Sequence, residues 1–162
     1  MANNDSGNDE RPRLELPALP PVIFSVPVLV GVLVHVWLWG GGIFGGVLGV
    51  VIGVVLVLVG LGLIAWSFVT MRAHGEHPEP GHPTKTLVVS GPFKRTRNPI
   101  YVGFLLIAAG LAVAVNALAV LVAAFVGAVA LTVLVIRREE AYLTLVFGDA
   151  YIEYIGRTRR WI

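Results

Sequence analysis

Apolar positions in this chain do not alternate with polar ones; they run in long blocks separated by short polar punctuation. A first block, near residues 22–39, follows a polar start and the stiff entry made by Pro17, Pro20, Pro21 and Pro27. A second, near residues 44–69, carries no charge. Residues 99–115 and 117–136 form two more, parted only by Asn116 and small neighbours. Each is close to the ~20 residues a helix needs to cross a ~30 Å hydrocarbon core. The pattern predicts an all-α integral membrane protein with four transmembrane helices, the last two a tight helical hairpin. After residue 136 the chain turns amphipathic, predicting a C-terminal helical segment. The expected organisation is a flexible tail (1–16), a two-span part (17–70) and a part holding the polar loop, hairpin and C-terminal segment (71–162).

Composition agrees with this reading. The chain of 162 residues is 56% hydrophobic and 14% charged, with a mean hydropathy of +0.81, whereas soluble domains carry about 25% charge. The absence of cysteine excludes disulfides, thiolate metal sites and cysteine nucleophiles. The placement of the cations is more telling than the net charge of +2. Arg11 and Arg13 lie in the tail; Arg72, Lys85, Lys94, Arg95 and Arg97 lie in the loop over residues 71–98; Arg137, Arg138, Arg157, Arg159 and Arg160 follow the fourth block. These are all 12 Lys and Arg of the chain. The two turns at the opposite end have none. With four spans, the positive-inside rule puts both termini and the loop in the cytoplasm, across the inner (plasma) membrane. The expected partners are the bilayer and a lipophilic or amphiphilic substrate; a short basic tail in this context does not suggest nucleic acid.

Some features have a simple structural reading. Gly41, Gly45, Gly49 and Gly53 recur every four residues, and Gly42 with Gly46 repeats the spacing. Such a face admits a neighbouring helix closely, from this chain or from a second copy in a homo-oligomer. Gly60-Leu61-Gly62-Leu63-Ile64-Ala65 matches a dinucleotide-binding fingerprint but lies inside an apolar run with no βαβ unit, so it reads as small residues in a spanning helix. His35, within the first block, is an intramembrane ionisable residue, yet its closeness to Trp37 and Trp39 suits a neutral, hydrogen-bonded side chain. His74, His77 and His82 alternate with Glu76, Glu79 and three prolines; this reads as a solvated connector, and no metal is expected.

Residues 91–103 are different. Gly91-Pro92-Phe93-Lys94-Arg95-Thr96-Arg97-Asn98-Pro99-Ile100-Tyr101-Val102-Gly103 joins cations, rigid backbone and an aromatic at the edge of an apolar block. Asn98 suits an N-cap and Pro99 a first helical position, which sets Arg97 outside the helix and Tyr101 in its first turn. The hairpin returns Arg137-Arg138-Glu139-Glu140-Ala141-Tyr142 to the same edge. Glu139 and Glu140 point about 100° apart on a helix, which predicts different surroundings for the two. Gly148 and Asp149 mark a helix boundary, and Arg157, Arg159, Arg160 and Trp161 suit a headgroup layer. A pocket at this edge can draw a soluble cofactor from the cytosol and an apolar substrate from the bilayer.

These blocks, with Leu87-Val88-Val89-Ser90 before them and Leu143, Phe147, Gly148, Tyr151 and Tyr154 after them, resemble the isoprenylcysteine carboxyl methyltransferases and the similar phospholipid N-methyltransferases. The resemblance implies a membrane enzyme that uses S-adenosylmethionine without a Rossmann domain. By that resemblance Arg97, Asn98, Pro99, Tyr101, Gly103, Glu139 and Glu140 form the cofactor pocket, with Arg97, Arg137, Glu139 and Glu140 as catalytic candidates. A carboxylate acceptor would need Arg97 or Arg137 to hold it; an amine or thiol would need Glu139 or Glu140 to take its proton. Asn98 stands where the carboxyl methyltransferases have His, so that position cannot exchange a proton. The competing expectations are an NADPH-dependent membrane reductase of the sterol-reductase type and a non-enzymatic membrane scaffold.

Overall fold

The computed structural model describes residues 14, 16–39, 46–77 and 84–162. Helix α1 (Pro20–Val34) continues through a π-helical turn, His35–Trp39. Helix α2 spans Gly46–Ala73, and a 3₁₀ turn at Gly91–Lys94 leads to α3 (Pro99–Ala114). Helix α4 (Leu118–Leu131) passes through a second π-helical turn, Thr132–Ile136, into α5 (Arg137–Phe147), and α6 (Asp149–Arg157) comes after it.

The four-span expectation does not hold. Among the described residues, three helices are long and apolar enough to cross a membrane: Pro20–Leu38, Gly46–Ala73 and Leu118–Phe147. Pro99–Ala114 has 16 residues, about 24 Å at 1.5 Å per residue, short of a ~30 Å core. It is short because its N-terminus is taken up by the polar Arg97-Asn98-Pro99 corner, while Asn116, at φ 57°, turns the chain after its last turn. The charged segment after residue 136 extends the helix as far as Gly148, giving one 30-residue rod over Leu118–Phe147.

Leucine, valine and phenylalanine cover the outer faces. Leu29, Leu58 and Phe125 are all more than half exposed, a surface that water would disfavour and hydrocarbon accepts. The protein is a membrane protein by this surface and by its three long apolar helices.

The helices associate as an arc, α2 on α3, α3 on α4, and α4 on α1, with little contact between α1 and α2. The α2–α3 seam is built from glycine. A Cβ on Gly53 would lie 2.5 Å from the Gly110 carbonyl oxygen, and one on Gly60 would lie 2.8 Å from that of Gly103. Both helices thus carry glycines seven residues apart, two turns, and the antiparallel pairing matches them in register. The glycine face of α2 is therefore occupied by α3 of the same chain. Gly41, Gly42 and Gly45 lie outside the described residues. The fingerprint-like Gly60–Ala65 segment is part of helix α2.

Between α1, α3 and α4, Phe24, Tyr101, Ala108, Ala124, Leu131, Val135 and Ile136 form the core, with Phe24 and Phe104 stacked at 5.9 Å. Most of the tail, residues 1–13 and 15, lies outside the described residues. Leu16, however, packs against this core. The His35 Nδ1 is buried without a hydrogen-bond partner, so the hydrogen-bonded side chain expected there is not formed at that atom.

Candidate active site

The site begins with backbone chemistry at residues 91–98. Gly91 has φ 56° and sits so close to α2 that a Cβ would lie 2.7 Å from the Thr70 hydroxyl. Only glycine meets both demands. The 3₁₀ turn at this point delivers Thr96, Arg97 and Asn98 beside the C-terminal residues. There Thr96 and Arg159 form a parallel bridge, and the Arg97 N–H donates to the Arg159 carbonyl at 2.9 Å. Asn98 does occupy the N-cap position of α3, but its side chain does not cap. Its Nδ2 donates instead to the Arg160 carbonyl at 2.8 Å, where the Thr96 hydroxyl also donates at 3.2 Å. Asn98 is thus a strut holding the C-terminal residues in place.

That strut puts a second arginine at the site. Arg160 approaches Glu140 in a two-pronged pair, Nε to Oε1 at 2.9 Å and a terminal nitrogen to Oε2 at 2.6 Å. Arg97 lies on the same carboxylate at 3.2 Å. Glu140 therefore sits between two guanidiniums, while Glu139, one residue earlier, accepts the Tyr101 hydroxyl at 2.7 Å. The 100° between them does separate their surroundings. It does not send one to solvent: both line a cavity of about 280 Å³, near the lower end of the ~300–1,000 Å³ usual for ligand pockets.

Phe68, Met71, Leu87, Val88, Phe93 and Phe104 supply most of the apolar wall. Glu76, Arg97, Asn98, Tyr101, Glu139 and Glu140 supply polar groups. Leu14, from the segment expected to be a detached tail, and Pro20 and Pro21 of α1 also line it. Tyr151 and Tyr154 close the side facing α6. Burial pushes the Tyr151 phenol up to about 12 and the Tyr154 phenol upward too, so both remain protonated donors at neutral pH. The Tyr154 hydroxyl donates to the Phe93 carbonyl at 2.7 Å, tying α6 to the 3₁₀ turn. The Arg160 guanidinium is held above its ordinary value chiefly by its hydrogen bonds to Glu140.

Of the residues expected from sequence, Arg97, Asn98, Pro99, Tyr101, Glu139 and Glu140 border the cavity. Two do not. Arg137 is exposed and absent from the lining, because the π-helical turn before it carries it to the outer side of the rod. Gly103 is buried one turn further along α3, where it meets Ile64 and Gly60 in the glycine seam.

Sequence reasoning missed Glu76 and Arg160. Glu76 is 7% exposed, and one of its carboxylate oxygens accepts the N–H groups of both Lys85 and Thr86. The loop is thus organised around a buried carboxylate, which the expectation of a solvated connector did not include. His74 is used locally, its ring between the Thr70 carbonyl at 2.8 Å and the Ser90 hydroxyl at 3.2 Å. His82 lies outside the described residues, and among those described no group of three metal-ligating side chains converges.

One atom in the site is unsatisfied. The Arg97 side chain is 10% exposed, and its Nε is buried with no hydrogen-bond partner. Buried donors in folded proteins are almost always paired, so an unpaired guanidinium N–H beside a cavity is a place for an anionic ligand group. The carboxylates of Glu76 and Glu139 border the same cavity.

Residues 48–150 match the family described as phospholipid methyltransferase. The match includes nearly all of α2, then α3, α4, α5 and the residues from Glu76 to Glu140 that border the cavity. No curated protein matches the chain.

Proposed function

Because the chain belongs to the phospholipid methyltransferase family, we propose that it transfers a methyl group from S-adenosylmethionine to an amphiphilic acceptor held at the polar end of its helix bundle. The family match supports an enzyme over a scaffold, and a methyltransferase over a reductase. The observation that carries the reading to particular residues is the unpaired Arg97 Nε in a cavity that also contains two differently partnered glutamates.

The bound cofactor would supply an already activated methyl group; the protein's task is alignment and proton handling. Arg97 holds the cofactor carboxylate. Glu140, fixed between Arg97 and Arg160, sets the direction of the Arg97 guanidinium. Glu139 has no cation on it; among the described residues its hydrogen-bond partner is the neutral Tyr101 hydroxyl. Its remaining lone pairs are free to take a proton from the acceptor. Tyr101 orients that carboxylate. The apolar wall of Phe68, Met71, Leu87, Val88, Phe93 and Phe104 receives the lipophilic part of the acceptor.

This arrangement favours an amine as nucleophile. A carboxylate acceptor would be driven against Glu139, and Arg97, the guanidinium bordering the cavity, would already be used. For localisation, the cation-rich loop and C-terminal segment suit the cytoplasmic face of the cell membrane, with the site opening toward the cytosolic cofactor pool.

The test is methyl transfer in vesicles. Purified protein in vesicles containing a primary-amine phospholipid, given methyl-labelled S-adenosylmethionine, should move label into the organic-extractable fraction. Vesicles that offer only a carboxylic acid amphiphile should stay near background. Label in neither lipid would overturn the acceptor assignment.

A further inference from the structure

We propose that Arg160 is a positioning residue of the cofactor site, and that the C-terminal residues 158–161 are a working part of that site rather than a headgroup anchor. This rests on the reading of the cavity as the cofactor pocket. Residues 158–161 lie outside the stretch that matches the family, residues 48–150.

Helix α6 ends where the Thr158 N–H donates to the Tyr154 carbonyl at 3.0 Å, and the chain then runs extended and parallel to residues 96–98. Its main chain is pinned by three hydrogen bonds on two carbonyls. The Arg159 carbonyl takes the Arg97 N–H, and the Arg160 carbonyl takes both the Asn98 amide and the Thr96 hydroxyl. Trp161 packs against the core. Arg160 therefore does two things at once. Its carbonyl is fixed by the first site segment, while its guanidinium grips Glu140 of the second at 2.9 and 2.6 Å. A headgroup anchor needs neither contact.

The effect falls on Arg97. A guanidinium beside a carboxylate prefers a two-pronged pair. With Arg160 filling that role on Glu140, Arg97 keeps a single contact to that carboxylate at 3.2 Å, and its Nε stays unpaired. Without Arg160, Glu140 would have only Arg97 to neutralise it. Arg97 would turn to pair with it through two nitrogens, and the N–H offered to the ligand would be lost. Arg160 thus keeps Arg97 available without touching the ligand itself.

The experiment is calorimetric binding of S-adenosylhomocysteine, with steady-state kinetics, on full-length wild type, Arg160→Ala, Arg160→Lys, Glu140→Gln and the Glu140→Gln/Arg160→Ala double variant. Arg160→Ala should bind roughly tenfold more weakly and show a raised KM for S-adenosylmethionine with a smaller change in kcat. Arg160→Lys should recover part of the affinity, since a point charge replaces the fork. In the Glu140→Gln background, removing Arg160 should change affinity less than about twofold, because the carboxylate it neutralises is gone. A purely structural role would instead lower thermal stability and leave the affinity of the folded fraction unchanged. If Arg160→Ala does not purify as a monodisperse species, Arg160→Gln carries the same comparison with donors retained and charge removed. Wild-type affinity in Arg160→Ala or Arg160→Gln overturns the proposal. A wild-type protein that does not bind S-adenosylhomocysteine overturns the cofactor reading beneath it.

Discussion

Glu139→Gln is expected to lower kcat by about 10²–10⁴-fold, the range for removal of a positioned general base, while S-adenosylhomocysteine binds close to wild-type affinity. Glutamine keeps the volume of the side chain, and its amide oxygen can still accept the Tyr101 hydroxyl that now bonds to Glu139 at 2.7 Å. What it loses is the capacity to take a proton. The neighbouring glutamate should respond differently. Glu140 is bound by Arg97 at 3.2 Å and by Arg160 at 2.6 Å, so its lone pairs are committed to cations and its loss should appear in cofactor affinity. Single-turnover kinetics beside equilibrium binding separates the two. Full turnover in Glu139→Gln would remove the proton-accepting role from this residue.

Arg97→Ala should have the largest effect on binding. It removes the guanidinium that borders the cavity, and with it the buried nitrogen there that lacks a partner. Truncating one member of a desolvated charge pair commonly costs about 2–5 kcal/mol, so S-adenosylhomocysteine affinity should fall roughly thirtyfold or more. Arg97→Lys should not restore it. An ammonium can approach Glu140 but has no planar edge to present to a second carboxylate. The fold should survive, because the main-chain N–H of residue 97 still reaches the Arg159 carbonyl. Binding within a few-fold of wild type in Arg97→Ala would place the cofactor carboxylate elsewhere.

Part of this molecule was legible in its sequence. The apolar blocks are visible because helices without charge have few alternatives in a bilayer. The meeting of residues 97–101 with 139–140 followed from the short turn at Asn116, and Tyr101–Glu139 and Arg97–Glu140 make it concrete. Other features depended on partners that no local pattern names. Apolar length alone made residues 99–115 look like a fourth span, yet α3 starts at the site itself and is too short to cross. Asn98 had the right position for a cap, but a carbonyl 62 residues away competes for its amide and wins. Arg160 looked like one more interfacial cation because its role depends on a parallel pairing of Thr96 with Arg159, which leaves no periodic trace. Arg137 misled in the opposite way. The π-helical turn at Thr132–Ile136 shifts the helix phase, so counting at about 100° per residue from the apolar block misplaces the residues beyond that turn. The glycine spacing announced a close helix contact, but the matched spacing of Gly53 and Gly60 with Gly110 and Gly103 becomes evident only once the antiparallel pairing is seen.

The central claim is that the cavity between α3, α5 and α6 is built for S-adenosylmethionine. Isothermal calorimetry on the purified full-length protein in detergent tests it most directly, with S-adenosylmethionine, S-adenosylhomocysteine and NADPH titrated separately. The expected result is saturable binding of both sulfur-containing ligands at one per chain, with no heat from NADPH. Binding of NADPH with neither sulfur-containing ligand bound would contradict the account.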